Sequence, residues 1–343
     1  IQKRTKLSPG YLIGSGKITE IIDIRQKNNA NLVIIDHPLS GPQSRNLEEA
    51  IGCQVLDRSA VILDIFAQNA KTNAAKTQVE IAQLQYLLPR LTKAWTHFQR
   101  QKGGGVKGRG MGEQQIEVDR RRAREKISRL KKKLKQLSQE RQTQRKLRHN
   151  VIQVSLVGYT NTGKTTIMQN LTRAQTPGAD VLFATLDANV RILEPSTRPR
   201  ILLSDTVGFI RKLPHSLIES FKSTLEEVCS SDLLLHVVDT SHPSYKEQME
   251  TTQKVLEEIE ADKIPTMLIF NKMDQVQEEF LSKILKKKYK NSLAVSAHNM
   301  DDIKTLRGHI YEYLQKSFKK ITLKVPSNDQ TSISLIYQSC LIL

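Results

Sequence analysis

The stretch GYTNTGKT, Gly158–Thr165, has the spacing G-x-x-x-x-G-K-[ST] between an apolar run and a helical pattern. A loop of that kind turns successive backbone N–H groups toward phosphate oxygens. Gly158, Tyr159, Thr160, Asn161, Thr162 and Gly163 would wrap the phosphates, Lys164 would reach the β- and γ-groups, and the Thr165 hydroxyl would bind Mg2+. Farther on, Asp205, Thr206, Val207 and Gly208 (DTVG) follow the apolar run RILLS. Asp205 would hold Mg2+ through water there, and the Gly208 N–H would sense a γ-phosphate. Between the two, FATLDANVR supplies Phe183, Ala184, Thr185, Leu186 and Asp187 along the nucleotide, with Thr185 as a second Mg2+ ligand from a mobile segment. The chemistry is phosphoryl transfer to water, with Lys164, Thr185, Asp205 and Gly208 as its catalytic set. One piece is missing. Many such enzymes place a water-orienting glutamine after the glycine; here the residue is Phe209, which neither donates nor accepts a hydrogen bond.

The base is chosen elsewhere. NKMD, residues Asn271, Lys272, Met273 and Asp274, ends the apolar strand PTMLIF. The Asp274 carboxylate can accept from both guanine N1–H and its 2-amino group, a donor pair that adenine lacks. Asn271 and the Lys272 stem would support the loop and the ring. Ser296, Ala297 and His298 close the next strand, where a backbone N–H would meet guanine O6. In this order the motifs specify GTP and GDP with Mg2+.

Elements that could position these residues run from about 150 to 318 as a doubly wound α/β domain. VIQVSLVG, PRILLSD, DLLLHVVD, PTMLIFN and SLAVSA read as strands, with helices near 164–173, 214–228, 244–260, 276–288 and 301–317. Residues 1–70 alternate short strands (NLVIID, CQVLD) with helical patterns, the second helix capped by Ser40, and predict a small α/β unit with a parallel sheet. GSGK, Gly14–Lys17, is too short for a nucleotide motif and reads as a loop.

Residues 71–149 read as an antiparallel helical hairpin. Val79, Leu84, Leu87, Leu88, Leu91 and Trp95 form an apolar face on one arm, with a kink at Pro89. Ile127, Leu130, Leu134 and Leu137 form a coiled-coil seam on the other. The tip between them, Gln101–Glu113, holds six glycines in thirteen residues and predicts a break in helix. Residues 319–343 read as the start of a further small domain, with ITLKVP as a strand and a helix after it.

The chain has 343 residues and a formal net charge of +18. Residues 100–150 alone carry 18 Lys/Arg against 5 Asp/Glu, a net +13. That one-sided charge predicts contact with folded RNA rather than a merely solvated helix, and the scarcity of aromatics there argues against stacking on single strands. Cys53, Cys229 and Cys340 suit a reducing cytosol and supply neither a disulfide framework nor a metal cage. No run is long enough to insert across a membrane.

On these residues the chain resembles the HflX family of translational GTPases. The resemblance rests on YLIGSGK, LDRSAVILDIFAQNA, QLQYLLPRL, the Gly-rich tip, GYTNTGKTT, FATLD and DTVGFIRKLPHSLIESFKSTLEEV. It implies a cytoplasmic monomer, partly at the membrane, that binds the large ribosomal subunit and its RNA. It further implies dissociation or rescue of stalled or idle ribosomes, with the hairpin tip near the peptidyl transferase centre. In that family a hydrophobic residue stands where the glutamine would be, so slow intrinsic hydrolysis and a partner that completes it are expected. Departures are Ala188, Asn189 and Val190 after TLD, and Met111 and Gln114 in the tip. The alternatives are an RNA-binding adaptor with a vestigial nucleotide fold, and a GTPase or assembly factor acting on other structured RNA.

Overall fold

The computed structural model describes residues 8–91, 108–146, 151–172, 189–194, 199–211, 225, 227–276, 280–316 and 318–340. They fall into two compact units, one running to Leu137 and the other from Ser138 onward.

In the first unit α1 (Ser15–Lys27), β1 (Leu32–Ile35), α2 (Gly41–Ile51), β2 (Gln54–Asp57) and α3 (Arg58–Asn69) alternate. β1 and β2 pair in parallel from Leu32↔Gln54 to Ile35↔Asp57, as the alternation predicts. Ser40 caps α2 in a reciprocal box with Gln43, and Gly52 ends that helix in the left-handed region at φ 75°. GSGK is not a loop: Gly14 is the N-cap of α1, and Ser15–Lys17 form its first turn. Leu39, Leu47, Ile51 and Val55 make the core of this unit.

Asp57, 1% exposed, ties β2 to the helices that follow it in the same unit. Its carboxylate accepts from the Leu39 and Ala60 N–H groups, from the Tyr86 hydroxyl at 2.8 Å and from Arg90 at 3.0 Å. The Arg90 guanidinium also lies 3.5 Å over the Tyr86 ring. Burial and the Asp57 carboxylate push the Tyr86 phenol up.

α4 (Asn73–Leu87) ends in a short 3-10 turn, Leu88–Arg90, at Pro89. Val79 is buried, but Leu87 is 48% exposed and lies off the apolar face assigned to it. α5 (Gly108–Lys146) shows Ile127, Leu130, Leu134 and Leu137 as half-buried positions at helical spacing. The break predicted for the tip is corrected in part, because Gly108–Glu113 already belong to α5. Each glycine costs about 1 kcal/mol there, but extending a 39-residue helix avoids the larger cost of nucleation. Residues 92–107, with Trp95 and the rest of the tip, lie outside the described residues.

The second unit is built on a six-stranded sheet of order β4-β5-β3-β6-β7-β8. Its strands are β3 (Ile152–Gly158), β4 (Asn189–Ile192), β5 (Ile201–Asp205), β6 (Leu233–Asp239), β7 (Thr266–Asn271) and β8 (Ser292–Ala294). All neighbours are parallel except β4, which runs antiparallel on the β5 edge. Its helices are α6 (Lys164–Thr172), α7 (Tyr245–Glu258), α8 (Leu281–Lys288), α9 (Met300–Gln315) and α10 (Gln330–Ser339). Of the helix expected at 214–228, only Leu225, Glu227 and Val228 are described, and they are helical. A core of Val154, Leu156, Ile167, Leu203, Leu235 and Ile269 lies on one sheet face; Val157, Leu234, Val255 and Leu256 pack on the other.

Two expectations change here. Asn189–Arg191 belong to an edge strand rather than a mobile segment, since β5 offers them a free ladder. ITLKVP forms no strand: Ile321 and Leu323 are exposed, with no described neighbour for the backbone to pair with.

Candidate functional site

β3 lies between β5 and β6, so consecutive crossovers leave it in opposite directions and open a crevice at its C-terminal end. Gly158–Gly163 occupy that end. Gly158 has φ 146°, and a Cβ there would overlap the Val237 carbonyl oxygen of the adjoining strand. Gly163 has φ 90°, and a Cβ there would overlap the Asn271 amide. Both positions demand glycine. Asn161, at φ 59°, takes the left-handed turn that asparagine tolerates. Gly163 then accepts from the Ile167 N–H at 2.9 Å, which opens α6 and aims its N-terminus at the loop.

Lys164 folds back under this loop, donating to the Tyr159 carbonyl at 2.6 Å and the Gly158 carbonyl at 3.2 Å. Burial pushes its ammonium down to about 8 from the ordinary 10.5, while Asp205 pulls the other way. The cost in stability is present below pH 8, where the folded chain must hold the charge, and disappears as pH rises from about 8 to 10.5. A bound phosphate restores the ammonium, so binding above pH 8 takes up a proton. Nucleotide affinity is therefore expected to be level between about pH 7 and 8, where the terminal phosphate is already ionised, and to fall as pH rises from 8 to 9, by up to about tenfold per unit. GDP titrations should show that slope in the native chain and not in Lys164→Ala; equal slopes in both would assign it to another group.

The Thr165 hydroxyl donates to Asp205 Oδ2 at 2.7 Å, across 40 residues of sequence. Two hard oxygen donors thus converge beside Lys164, a set that suits Mg2+ completed by phosphate oxygens. Among the described residues there is no group of three or more His, Cys, Asp or Glu side chains able to cage a metal by themselves.

The turn after Asp205 is clasped to the phosphate loop by its backbone. Phe209 donates its N–H to the Gly158 carbonyl at 3.0 Å and accepts at its own carbonyl from Thr160 at 2.8 Å. Gly208 lies so close that a Cβ would stand 2.9 Å from Thr160 and 3.0 Å from the Lys164 Nζ. The Thr206 hydroxyl donates to the Leu156 carbonyl at 2.6 Å. The Phe209 ring, 3% exposed, packs with Val157, Leu225, Val228 and Leu234 in the core beneath. It faces away from the phosphate side.

Asn271 joins the base loop to the phosphate loop. Its amide donates to the Thr162 carbonyl at 2.8 Å, and its oxygen accepts from the Ala297 N–H at 2.9 Å. Of the three backbone N–H groups in Ser296–His298 from which a donor to guanine was expected, that of Ala297 is engaged by Asn271 and that of Ser296 by Asp302 at 2.7 Å. The His298 N–H makes only a long 3.3 Å bond to the Ser296 hydroxyl and is the donor best placed for a base oxygen. Asp274 is exposed in the 3-10 turn Met273–Gln275.

Residues 1–67 match the family model described as GTP-binding GTPase N-terminal, 69–148 the GTP-binding GTPase Middle Region, and 153–272 the 50S ribosome-binding GTPase. GTPase HflX of Gluconacetobacter diazotrophicus is 44% identical over 313 residues, 91% of this chain and 68% of that protein. GTPase HflX of Escherichia coli is 42% identical over 334 residues, 96% of this chain and 78% of that protein. The chain belongs to the HflX family of GTPases. It is a GTP-hydrolysing enzyme whose α/β sheet carries a GTP-binding centre. A crystal structure of SsGBP with GDP matches it at a TM-score of 0.50 and 25% identity, covering 92% of this chain and 90% of that one.

Of the residues expected in this HflX site, Phe183, Ala184, Thr185, Leu186 and Asp187 lie outside the described residues. The others converge at the C-terminal ends of β3, β5 and β7 and in the loop after β8. Several supporting residues escape a reading by motif. Lys272, at φ 62°, sends its ammonium to Asp239 Oδ2 at 2.7 Å, and Asp239 also accepts from the Ser241 N–H and hydroxyl. Asn170 donates to the Ala297 carbonyl at 2.7 Å. Asp239 could have been found from its place at the end of a parallel strand; Asn170 and Asp302 carry no local signal. His236, buried in β6, is pushed down to about 4 by burial and by Lys164, and is neutral near pH 7.

Proposed function

We propose that this HflX GTPase is an Mg2+-dependent switch that binds the large ribosomal subunit through its RNA and dissociates or rescues stalled or idle ribosomes. The observation that carries the switch reading is the clasp between the phosphate loop and the Asp205–Phe209 turn, made by the paired Gly158, Thr160 and Phe209 backbones. A γ-phosphate arriving beside Gly208 must press on that clasp, so nucleotide state can be passed to the segment after Phe209. Lys164 would carry the phosphate charge, and Thr165 and Asp205 would hold the cation. Mg2+ would supply charge neutralisation on the β- and γ-oxygens. Thr185 would add its hydroxyl in the GTP-bound state.

The ribosomal half of the reading is supported by the match of residues 153–272 to the 50S ribosome-binding GTPases and by the net +13 of residues 100–150. A cation set of that size favours a phosphate backbone. The four-part division into 1–70, 71–149, 150–318 and 319–343 serves this reading, with the basic hairpin as the RNA-binding arm. Because Phe209 leaves water unoriented, hydrolysis should be slow alone and completed by the partner.

Steady-state GTP hydrolysis with and without purified large subunits tests the proposal, with Lys164→Ala as background. A stimulation of about a thousandfold or more is expected, on the order of what partner groups supply to GTPases of this chemistry. An unchanged rate, despite tight GTP binding, would sink it.

A further inference from the structure

The most cationic short element of the second unit is absorbed by none of the roles above. From Phe280 to Lys290 the chain reads FLSKILKKKYK, with five lysines and no acid. Within α8, Leu285 is buried among Val238 and Phe270, and Leu281 packs beside it, so the apolar side of the helix serves the domain core. Lys283, Lys286, Lys287, Lys288 and Lys290 are all exposed. Among the described residues none of the five forms an ion pair.

Charge alone would describe a solvated face, but two large apolar side chains share this one. Phe280 is 66% exposed and Ile284 55% exposed, one turn apart. The Lys283 ammonium lies 5.7 Å from the centre of the Phe280 ring, and Lys288 lies 5.2 Å from that of Tyr289. Ammonium groups interleaved with a bare ring are what a nucleic-acid strand meets well, phosphates on the lysines and an unpaired base on the ring. An anionic membrane is the weaker fit. An interfacial helix needs a broad apolar face turned outward, and here the leucines point inward.

We propose that the lysine face of α8, with Phe280 just before the helix and Lys290 just after it, is a second RNA-binding surface of this GTPase, holding the phosphate backbone with Lys283, Lys286, Lys287 and Lys290 and stacking Phe280 on an unpaired base. It extends the large-subunit reading, naming an element of the GTPase unit in addition to the hairpin. Because α8 follows the guanine loop within a few residues, RNA seated here would lie next to the segment that carries Asp274.

The test is binding of the full chain, with GTP present, to large subunits and separately to their protein-free RNA, over a range of salt. The variant carries Lys286→Ala, Lys287→Ala and Lys290→Ala together; its GDP affinity and melting midpoint serve as the check on folding. Each lost phosphate contact removes about 0.7–0.9 from the salt slope, so the slope should fall by about 2 and the affinity by about tenfold or more near physiological salt. Phe280→Ala should weaken binding without changing the slope. Equal affinity and slope in variant and native chain would overturn the proposal. Unaltered RNA binding with lost binding to phosphatidylserine vesicles would overturn it in favour of a lipid contact. If native chain ignores subunits but binds the free RNA in a manner dependent on α8, the ribosomal function fails and this inference stands.

Discussion

Asp274→Asn is expected to raise the dissociation constant for GDP by about a thousandfold, roughly 4 kcal/mol, and to invert the preference among purine nucleotides. The carboxylate offers two acceptors to the N1–H and 2-amino donors of guanine; the amide replaces one of them with a donor. A nucleotide with an oxygen at position 2, such as xanthosine diphosphate, meets that donor favourably and should gain affinity. The effect should be this large because the loop is held rigid around Asp274. Asn271 is bonded on both sides, Lys272 is fixed by Asp239, and the Met273 N–H donates to the Val295 carbonyl. Little can relax to rescue the mismatch. Competition titrations with GDP and xanthosine diphosphate decide it: equal losses for the two would mean that Asp274 supports the loop rather than reads the base.

Restoring the missing glutamine is expected to fail. Phe209→Gln should not raise intrinsic GTP hydrolysis, and it should cost about 3–5 kcal/mol of stability, the range for emptying a buried aromatic site. The ring sits in a closed core with Val157, Leu225 and Leu234, and its backbone is bonded on both sides to the phosphate loop. A glutamine on that backbone would point its amide into the same apolar cluster, where an unpaired amide carries a further penalty. Urea midpoints and single-turnover hydrolysis measure the two halves, with Phe209→Leu as the conservative control. A variant of native stability that hydrolyses GTP tenfold faster would show that the residue can turn toward the nucleotide, and the account of Phe209 as a core residue would fall. On the reading proposed above, slow hydrolysis would follow from a position given over to packing, with a partner bringing order to the water from outside.

How much of this could be read without coordinates depends on the range of the interaction. The phosphate loop was legible because its constraint is local: Gly158 and Gly163 need conformations or clearances that only glycine has, and the strand before and helix after are visible in hydropathy. The parallel β1–β2 pair and the Ser40 cap were legible for the same reason, since capping acts over three residues. The start of α5 at Gly108 was not, because local propensity counts glycines and misses what a long continuous helix returns. ITLKVP carries a strand pattern, yet a pattern makes no strand without a ladder beside it.

By itself, then, the sequence determined the GTPase chemistry, the NKMD motif at the end of its strand and the concentration of charge in residues 100–150, each a matter of residue type at short spacing. Only the tertiary structure decided that Phe209 faces the core, that Asp239 holds Lys272, and that Asn271 ties Thr162 to Ala297. Those contacts join residues 26 to 109 positions apart. Such partners are chosen by where the sheet brings the strand ends together, and no local preference of the chain encodes that meeting.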